Sequence, residues 1–319
     1  TLLSVLAFYH ELGVFLHYAD ISSLRDVVIA QPKWLIKHLG IVLAPAQSGN
    51  SVKGPKNPWR LLRNYGILVE VLYNEIWKMD LPDCEVKPQV FADLLDHFLL
   101  ITEIHQITIS VPSNYGKTYF MPCVLPVSPN DVMVAPPDAV LTAAPLHLTF
   151  SSKYVPPGFF VRLATVMSST PGFSIDFKRG VYSNSITFQY GEDEQNGRID
   201  DIRISATQFS IHVDIIRRSH CVYVASCNFP STCRSVLKVL LAAIHKLHLW
   251  FQSVKVKTEF ACEKCKGKPI HCAPISSEAE SKTLLRCEYG AVWGPTADQQ
   301  FWLKIPTVPV SKFYLCILE

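Results

Sequence analysis

Charge is scarce in this 319-residue chain: Asp, Glu, Lys and Arg make up 18%, and 30 basic against 27 acidic residues leave a formal net charge of +3. That balance carries no bulk electrostatic signature of a nucleic-acid binder. Glycine is sparse, at 14 residues, which excludes collagen-like and flexible-linker chemistry. No apolar stretch reaches the ~18 uncharged residues that a membrane span needs. The strongest candidate, Val236 to Trp250, is interrupted by Lys238 and Lys246. G-x-S-x-G, H-E-x-x-H and D-F-G are missing too, so no familiar hydrolase, zincin or protein-kinase constellation is present. What the chain has is apolar mass. It is 49% hydrophobic with a mean hydropathy of +0.18, which excludes a disordered tail and supplies core for about two domains. Thr1 enters an apolar pattern at once, and the expectation is a piece of a larger protein.

Hydrophobic spacing divides the chain. Residues 1–130 read mainly as helices. Leu2, Leu3, Leu6, Tyr9 and His10 share a helical face that Gly13 ends, and Pro32 opens a helix carrying Trp34, Leu35 and Leu39. Short extended runs are expected at Val14 to Tyr18 and at Val27 to Ala30, and Ser48 to Pro58 reads as a loop. Trp59 to Tyr65 and Val69 to Trp77 predict two short helices, and Pro88 opens another with Phe91, Leu94, Leu95 and Phe98 on its apolar stripe. Extended segments at Ile107 to Val111 and Tyr119 to Leu125 complete the order expected of a winged-helix-like module.

The stretch Pro126 to Pro145 holds five prolines, and residues 131–145 read as a linker. Residues 146–258 read as an α+β half with a mainly antiparallel sheet and flanking helices. Its strands are expected at Leu146 to Phe150, Ile186 to Tyr190, Ile202 to Ala206, Phe209 to Ile215 and Cys221 to Ser226. Helices follow Pro156-Pro157-Gly158 and run from about Cys233 to Phe251, and the polar stretch Glu192 to Asp201 makes a hairpin loop. Residues 259–319 form a small cysteine-rich extension.

Ten cysteines suit a reducing compartment, here the cytoplasm, because six of them lie scattered among apolar residues. Only Cys262, Cys265, Cys272 and Cys287 cluster. The C-x-x-C of the first two places two thiolates on one knuckle, and Cys272 and Cys287 complete a candidate S4 site for structural zinc, with His271 as an alternative third ligand. Free thiols and disulfides are the competing readings. Gly116-Lys117-Thr118 looks like the end of a P-loop, but Val111 stands where the motif needs its first Gly, and the chain continues as extended Tyr119-Phe120-Met121-Pro122. It reads as a polar turn, so the expectation is no catalytic and no nucleotide-binding residue. His245 and His248 lack an intervening Glu, and the acids from Glu192 to Asp201 do not have EF-hand spacing, so both read as solvated surface.

Phe8-x-x-Glu11-Leu12-Gly13, then Leu24-x-Asp26-Val27-Val28-Ile29-x-x-Pro32-x-Trp34-Leu35, resembles the start of a COR domain, the "C-terminal of Roc" module of Roco proteins. Gly66-Ile67-Leu68 with Ile76-Trp77, Phe91-Ala92-Asp93-Leu94-Leu95 with Phe98, and Tyr119-Phe120-Met121-Pro122 resemble later COR segments in the family's order. Val155-Pro156-Pro157-Gly158-Phe159-Phe160-x-Arg162-Leu163 looks like the start of the second COR half. Phe177-Lys178-Arg179-Gly180-Val181 resembles its W-x-x-G strand entry, with Phe177 in place of Trp. The resemblance covers about residues 1 to 258, and a cysteine-rich tail follows COR in some members.

The resemblance implies a non-catalytic regulatory module, lying after a Ras-like Roc GTPase domain and coupling its nucleotide state to self-association. It implies that the winged-helix-like half, Trp34 included, faces Roc. It places the homodimer surface in the second half, where Phe159, Phe160, Phe173 and Tyr182 are the candidates. The alternative is a winged-helix and zinc-containing nucleic-acid-binding protein, suggested by Lys255, Lys257, Lys264, Lys266 and Lys268. Glu259 and Glu263 interrupt that basic run, and the helix of Trp34, Leu35 and Leu39 is too apolar to face phosphates.

Overall fold

The computed structural model describes residues 2–43, 56–80, 88–105, 109–128, 139–191, 200–218, 229–261, 272–274, 285–286, 292–293, 299 and 302. They form a mixed α and β structure whose assigned strand pairs are antiparallel. The chain separates into two units. Thr1–Ser128 with Ala164–Ser169 and Ile175–Ser183 makes the first; Pro129–Leu163, Thr170–Ser174 and Asn184–Glu319 make the second.

The first unit opens with helix α1 (Leu2–Glu11), and Gly13, at φ 66°, turns the chain out of it. The strands β1 (Leu16–His17) and β2 (Val28–Ile29) pair antiparallel and lead to α2 (Pro32–Leu43), which has proline in its first turn. Leu24, Ile29 and Leu35 from this block form one core cluster with Val90 and Leu94. No residue of α1 is buried, although its sequence is almost wholly apolar.

Next come α3 (Lys56–Tyr65), β3 (Ile67–Val69), α4 (Glu70–Asp80), α5 (Gln89–His97), β4 (Thr102–Glu103) and β5 (Thr118–Phe120). The three strands form an antiparallel sheet in the order β3–β5–β4. Gly66, at φ 66°, makes the sharp turn from α3 into β3, a backbone conformation that costs glycine little. Val90, Phe91, Leu94 and Leu95 bury one face of α5, while the Gln89 amide donates to Asp93 (2.8 Å) and accepts from the Tyr73 hydroxyl (3.2 Å). These bonds tie α5 to α4 without leaving the amide unpaired.

Two extended segments differ from the sequence reading. A short strand that the sequence reading did not mark lies at Thr102–Glu103, and Ile67–Val69, read only as the lead-in to a helix, is a strand with all three residues buried; the start of the expected strand at Ile107 to Val111 lies outside the described residues, and no strand is assigned to its residues 109–111. Phe177–Arg179 is a 3₁₀ turn rather than a strand entry, with the Asp176 carboxylate accepting from the Lys178 amide, and it belongs to the first unit. Its Phe177 packs edge-on against Tyr65 and Phe120.

The second unit contains an eight-stranded sheet. The elements that follow in chain order are β6 (Ala139–Thr142), β7 (Leu146–Phe150), α6 (Phe159–Ser168), β8 (Phe173–Ile175), β9 (Ser185–Tyr190), β10 (Asp200–Ala206), β11 (Ser210–Arg218), α7 (Phe229–His248), β12 (Val256–Ala261) and β13 (Cys272–Pro274), of which the last half of α6, from Ala164, and Ile175 of β8 are counted with the first unit. The sheet order is β13–β12–β7–β11–β10–β9–β8, and β6 pairs with the far end of β11. A strand thus occupies part of the proline-rich stretch read as a linker. Short β14 (Leu285–Arg286) and β15 (Val292–Trp293) pair with each other. The segment read as a separate cysteine-rich subdomain contributes β13 to the main sheet through Ala261↔Cys272. The expected strand at Cys221 to Ser226 and most of the loop from Glu192 lie outside the described residues.

Period-2 alternation gives the sheet two chemically different faces. Leu146, Leu148, Ile186, Phe188, Ile202, Ile204, Ile211 and Val213 share the apolar face. The apolar stripe of α7 (Val236, Leu237, Leu240, Ala243, Leu247) is buried too. Between β11 and β10 a guanidinium joins that side: Arg217 donates to both carboxylate oxygens of Asp200 (2.8 and 2.7 Å), and the Thr232 hydroxyl of α7 donates to the same carboxylate (2.9 Å). The Arg217 guanidinium also sits 5.1 Å from the ring centre of Phe229.

Candidate functional site

The sheet's other face is polar, yet much of it is buried. His147 and Thr149 come from β7, Ser210, His212 and Asp214 from β11, Arg203 from β10 and Glu259 from β12. His147 lies directly opposite His212 across the strands, with ring centres 4.4 Å apart and the rings edge to face. The Ser210 hydroxyl is 2.8 Å from His212 Nε2, and the Thr149 hydroxyl donates to Glu259 (2.6 Å). The Nδ1 atoms of both imidazoles are buried with no hydrogen-bond partner. Burial pushes His147 down to about 4, helped by repulsion from His212, and burial also lowers His212. Both rings are therefore neutral at neutral pH. Arg203 donates from Nε and Nη2 to Asp214 (3.3 Å each); burial raises the Asp214 carboxyl against the pull of that cation.

Sequence reasoning missed this cluster. Its one signal was polar residues at alternate positions, His147-x-Thr149 and Ser210-x-His212-x-Asp214, but only the strand register brings the two histidines together. Among the described residues no group of three or more His, Cys, Asp or Glu is arranged to hold a metal ion. Cys262, Cys265 and Cys287 lie outside the described residues, and Cys272 opens β13. Cys233 is a packed thiol of α7, pushed up to about 12 by burial, and so unreactive.

Trp34 stands half-buried on α2, edge-on to Trp77 with ring centres 6.3 Å apart. Both indoles line an apolar groove of about 330 Å³ with Val28, Val90, Phe91 and Leu94. Phe159, Phe160 and Phe173 do not form a surface: all three are core residues, Phe159 wedged between Phe150 and Phe251 and Phe173 against Phe188 and Tyr190. The physical reason is that α6 and the edge strand β8 each bury their aromatic side chains, which takes these three out of any surface. Tyr182 is half-buried and its ring lies over Gly180.

Gly116 and Lys117 form a turn before β5, and Thr118 begins that strand rather than a helix. The Lys117 amide donates to the Glu70 carboxylate (2.9 Å), and a Cβ at Gly116 would overlap that same carboxylate. A negative side chain therefore occupies the amide that a phosphate would use in a P-loop. Among the described residues no helix is long and apolar enough to cross a membrane. No protein-family model matches the chain, and no curated protein matches it in sequence.

Proposed function

We propose that the chain is a non-catalytic regulatory module of the COR type, acting in the cytoplasm beside a Ras-like GTPase domain of the same protein and linking its nucleotide state to self-association. The observation that carries this reading is α1. Leu2, Leu3 and Phe8 are 74%, 65% and 59% exposed, and an apolar helix left this bare is the signature of a surface that another domain covers. The order α3–β3–α4–α5–β4–β5 with its β3–β5–β4 sheet supports a winged-helix-like description of the first unit. It also speaks against nucleic-acid binding. The helix in the third, groove-reading place is α5, not the helix of Trp34, and it carries Asp93 and Asp96 with no Lys or Arg.

The test starts from the coding sequence upstream of Thr1. A G-x-x-x-x-G-K-[ST] followed by a Ras-like α/β pattern is expected within about 200 residues, one to two domain lengths. That segment, expressed separately, should bind this chain, and Leu3→Asp with Phe8→Asp should abolish the binding. Binding that survives the double substitution, or an upstream region with no GTPase pattern, removes the reading. The tail's Cys262, Cys265, Cys272 and Cys287 belong to the same proposal as a structural zinc site. Elemental analysis should find about one zinc per chain, lost in Cys262→Ser; a metal-free chain with an ordered tail excludes it.

A further inference from the structure

Three turns of the second unit meet at one end of the sheet, where β7 ends and β11 and β12 begin. The Ser151 amide donates to the Lys255 carbonyl (2.9 Å), the Lys255 amide returns a bond to the Ser151 hydroxyl (3.0 Å), and the Val155 amide donates to the Gln208 carbonyl (2.9 Å). Four apolar side chains stand out from this end: Tyr154 is 52% exposed, Phe209 57%, Leu249 75% and Trp250 38%. Arg162 lies 5.5 Å from the Trp250 ring centre and holds that indole in place. Around them Lys153, Lys246 and Lys255 are exposed. The segments 151–158, 206–210 and 245–257 contain no Asp or Glu.

We propose that this end of the sheet is a docking surface for an anionic lipid bilayer, with Tyr154, Phe209, Leu249 and Trp250 entering the headgroup boundary and the lysines meeting acidic headgroups. Protruding aromatic side chains suit the interface, where one end is apolar and the other wet, and cations nearby gain from the negative surface potential. Charge decides among occupants. A second copy related by a two-fold axis would bring lysine against lysine with no carboxylate to receive it. A nucleic acid would satisfy the lysines but gives an aliphatic tip such as Leu249 nothing to bury against. The surface stands on its own geometry and is independent of the COR reading.

The experiment is co-sedimentation of the full chain with vesicles of phosphatidylcholine alone and of phosphatidylcholine with about 30% phosphatidylserine. Partitioning should be roughly tenfold stronger into the anionic vesicles and should fall with added salt. Phe209→Ser with Leu249→Ser, and separately Lys153→Gln with Lys255→Gln, should each lower it about tenfold while leaving the melting temperature within a few degrees. The lysine pair is fully surface-borne, so it decides the question if the apolar pair misfolds. Equal partitioning into both vesicles, none into either, or wild-type partitioning by the lysine variant overturns the proposal. So does duplex DNA binding or self-association that the lysine variant abolishes while vesicle partitioning is unchanged.

Discussion

Asp200→Ala is expected to cost about 3–5 kcal/mol of stability, the scale of breaking a buried ion pair from one side. The substitution removes two carboxylate oxygens that accept from the Arg217 guanidinium, one of which also accepts from the Thr232 hydroxyl, in a place where the arginine and aspartate side chains are each only 7% exposed. The Arg217 guanidinium then keeps its charge in a buried place against Phe229 without the Asp200 carboxylate that balanced it. The pairing also joins the start of β10 to the end of β11, at the residue pair Asp200↔Arg217, so the damage should spread along that ladder. Urea unfolding followed by circular dichroism measures it. The double replacement Asp200→Leu with Arg217→Met should recover much of the loss, because an apolar pair of similar volume needs no partners. A single-variant loss below about 1 kcal/mol would mean that the network contributes no more than a surface pair.

Acid sensitivity should come from the paired imidazoles. An unfolded histidine takes up its proton near pH 6.5, whereas folded His147 does so only at about 4. Between those values the unfolded chain binds more protons, so the stability present above pH 6.5 is lost as the pH falls. For His147 alone the loss reaches about 3 kcal/mol by pH 4, and the lowered His212 adds to it in the same direction. Glu259 opposite His147, the Arg203–Asp214 pair, Asp201 on β10 and Lys257 opposite Thr149 carry charge on the same face. Asp214 has the opposite sign: its raised carboxyl binds its proton more readily when folded and offsets part of the loss near pH 4. Comparing unfolding free energies of the wild type and His147→Leu at pH 7 and pH 5 isolates the imidazole. The wild type should lose more than the variant on acidification, and equal losses would show that the buried pair does not govern the acid response.

Much of the second unit was legible because its strands alternate. Ile186, Phe188 and Tyr190, Ile202 and Ile204, and Ile211, Val213 and Ile215 announce a half-buried pleat, and the antiparallel pairing of β9, β10 and β11 follows. The helices α2 and α5 announced themselves through proline at or before the first turn and a regular apolar stripe. Ile67–Val69 was opaque for the opposite reason: three successive buried residues show no period that separates strand from helix. Ala139–Thr142 hid among prolines, and Thr102–Glu103 is too short and too polar to stand out as a strand.

The candidate sites were less legible. Spacing on α1 reads as a shared apolar face, yet only Leu6 and His10 are even half-buried, because periodicity reports an apolar face and not what covers it. Phe159, Phe160 and Phe173 invited an interface reading that their burial overturns. The His147–His212 pair depends on strands far apart in sequence, and no local pattern encodes which residue will face which.

The central claim, a regulatory module whose partner is a GTPase domain of the same protein, is tested most directly by sedimentation velocity on the protein extended upstream through that domain. Runs with GDP, with a non-hydrolysable GTP analogue and without nucleotide, each over a concentration series, would be compared with this chain alone. The account predicts a monomer–dimer equilibrium in the extended protein whose midpoint shifts with the bound nucleotide, and weaker self-association for the isolated chain. A mass that stays monomeric in every nucleotide state, or a dimer indifferent to nucleotide, would contradict it.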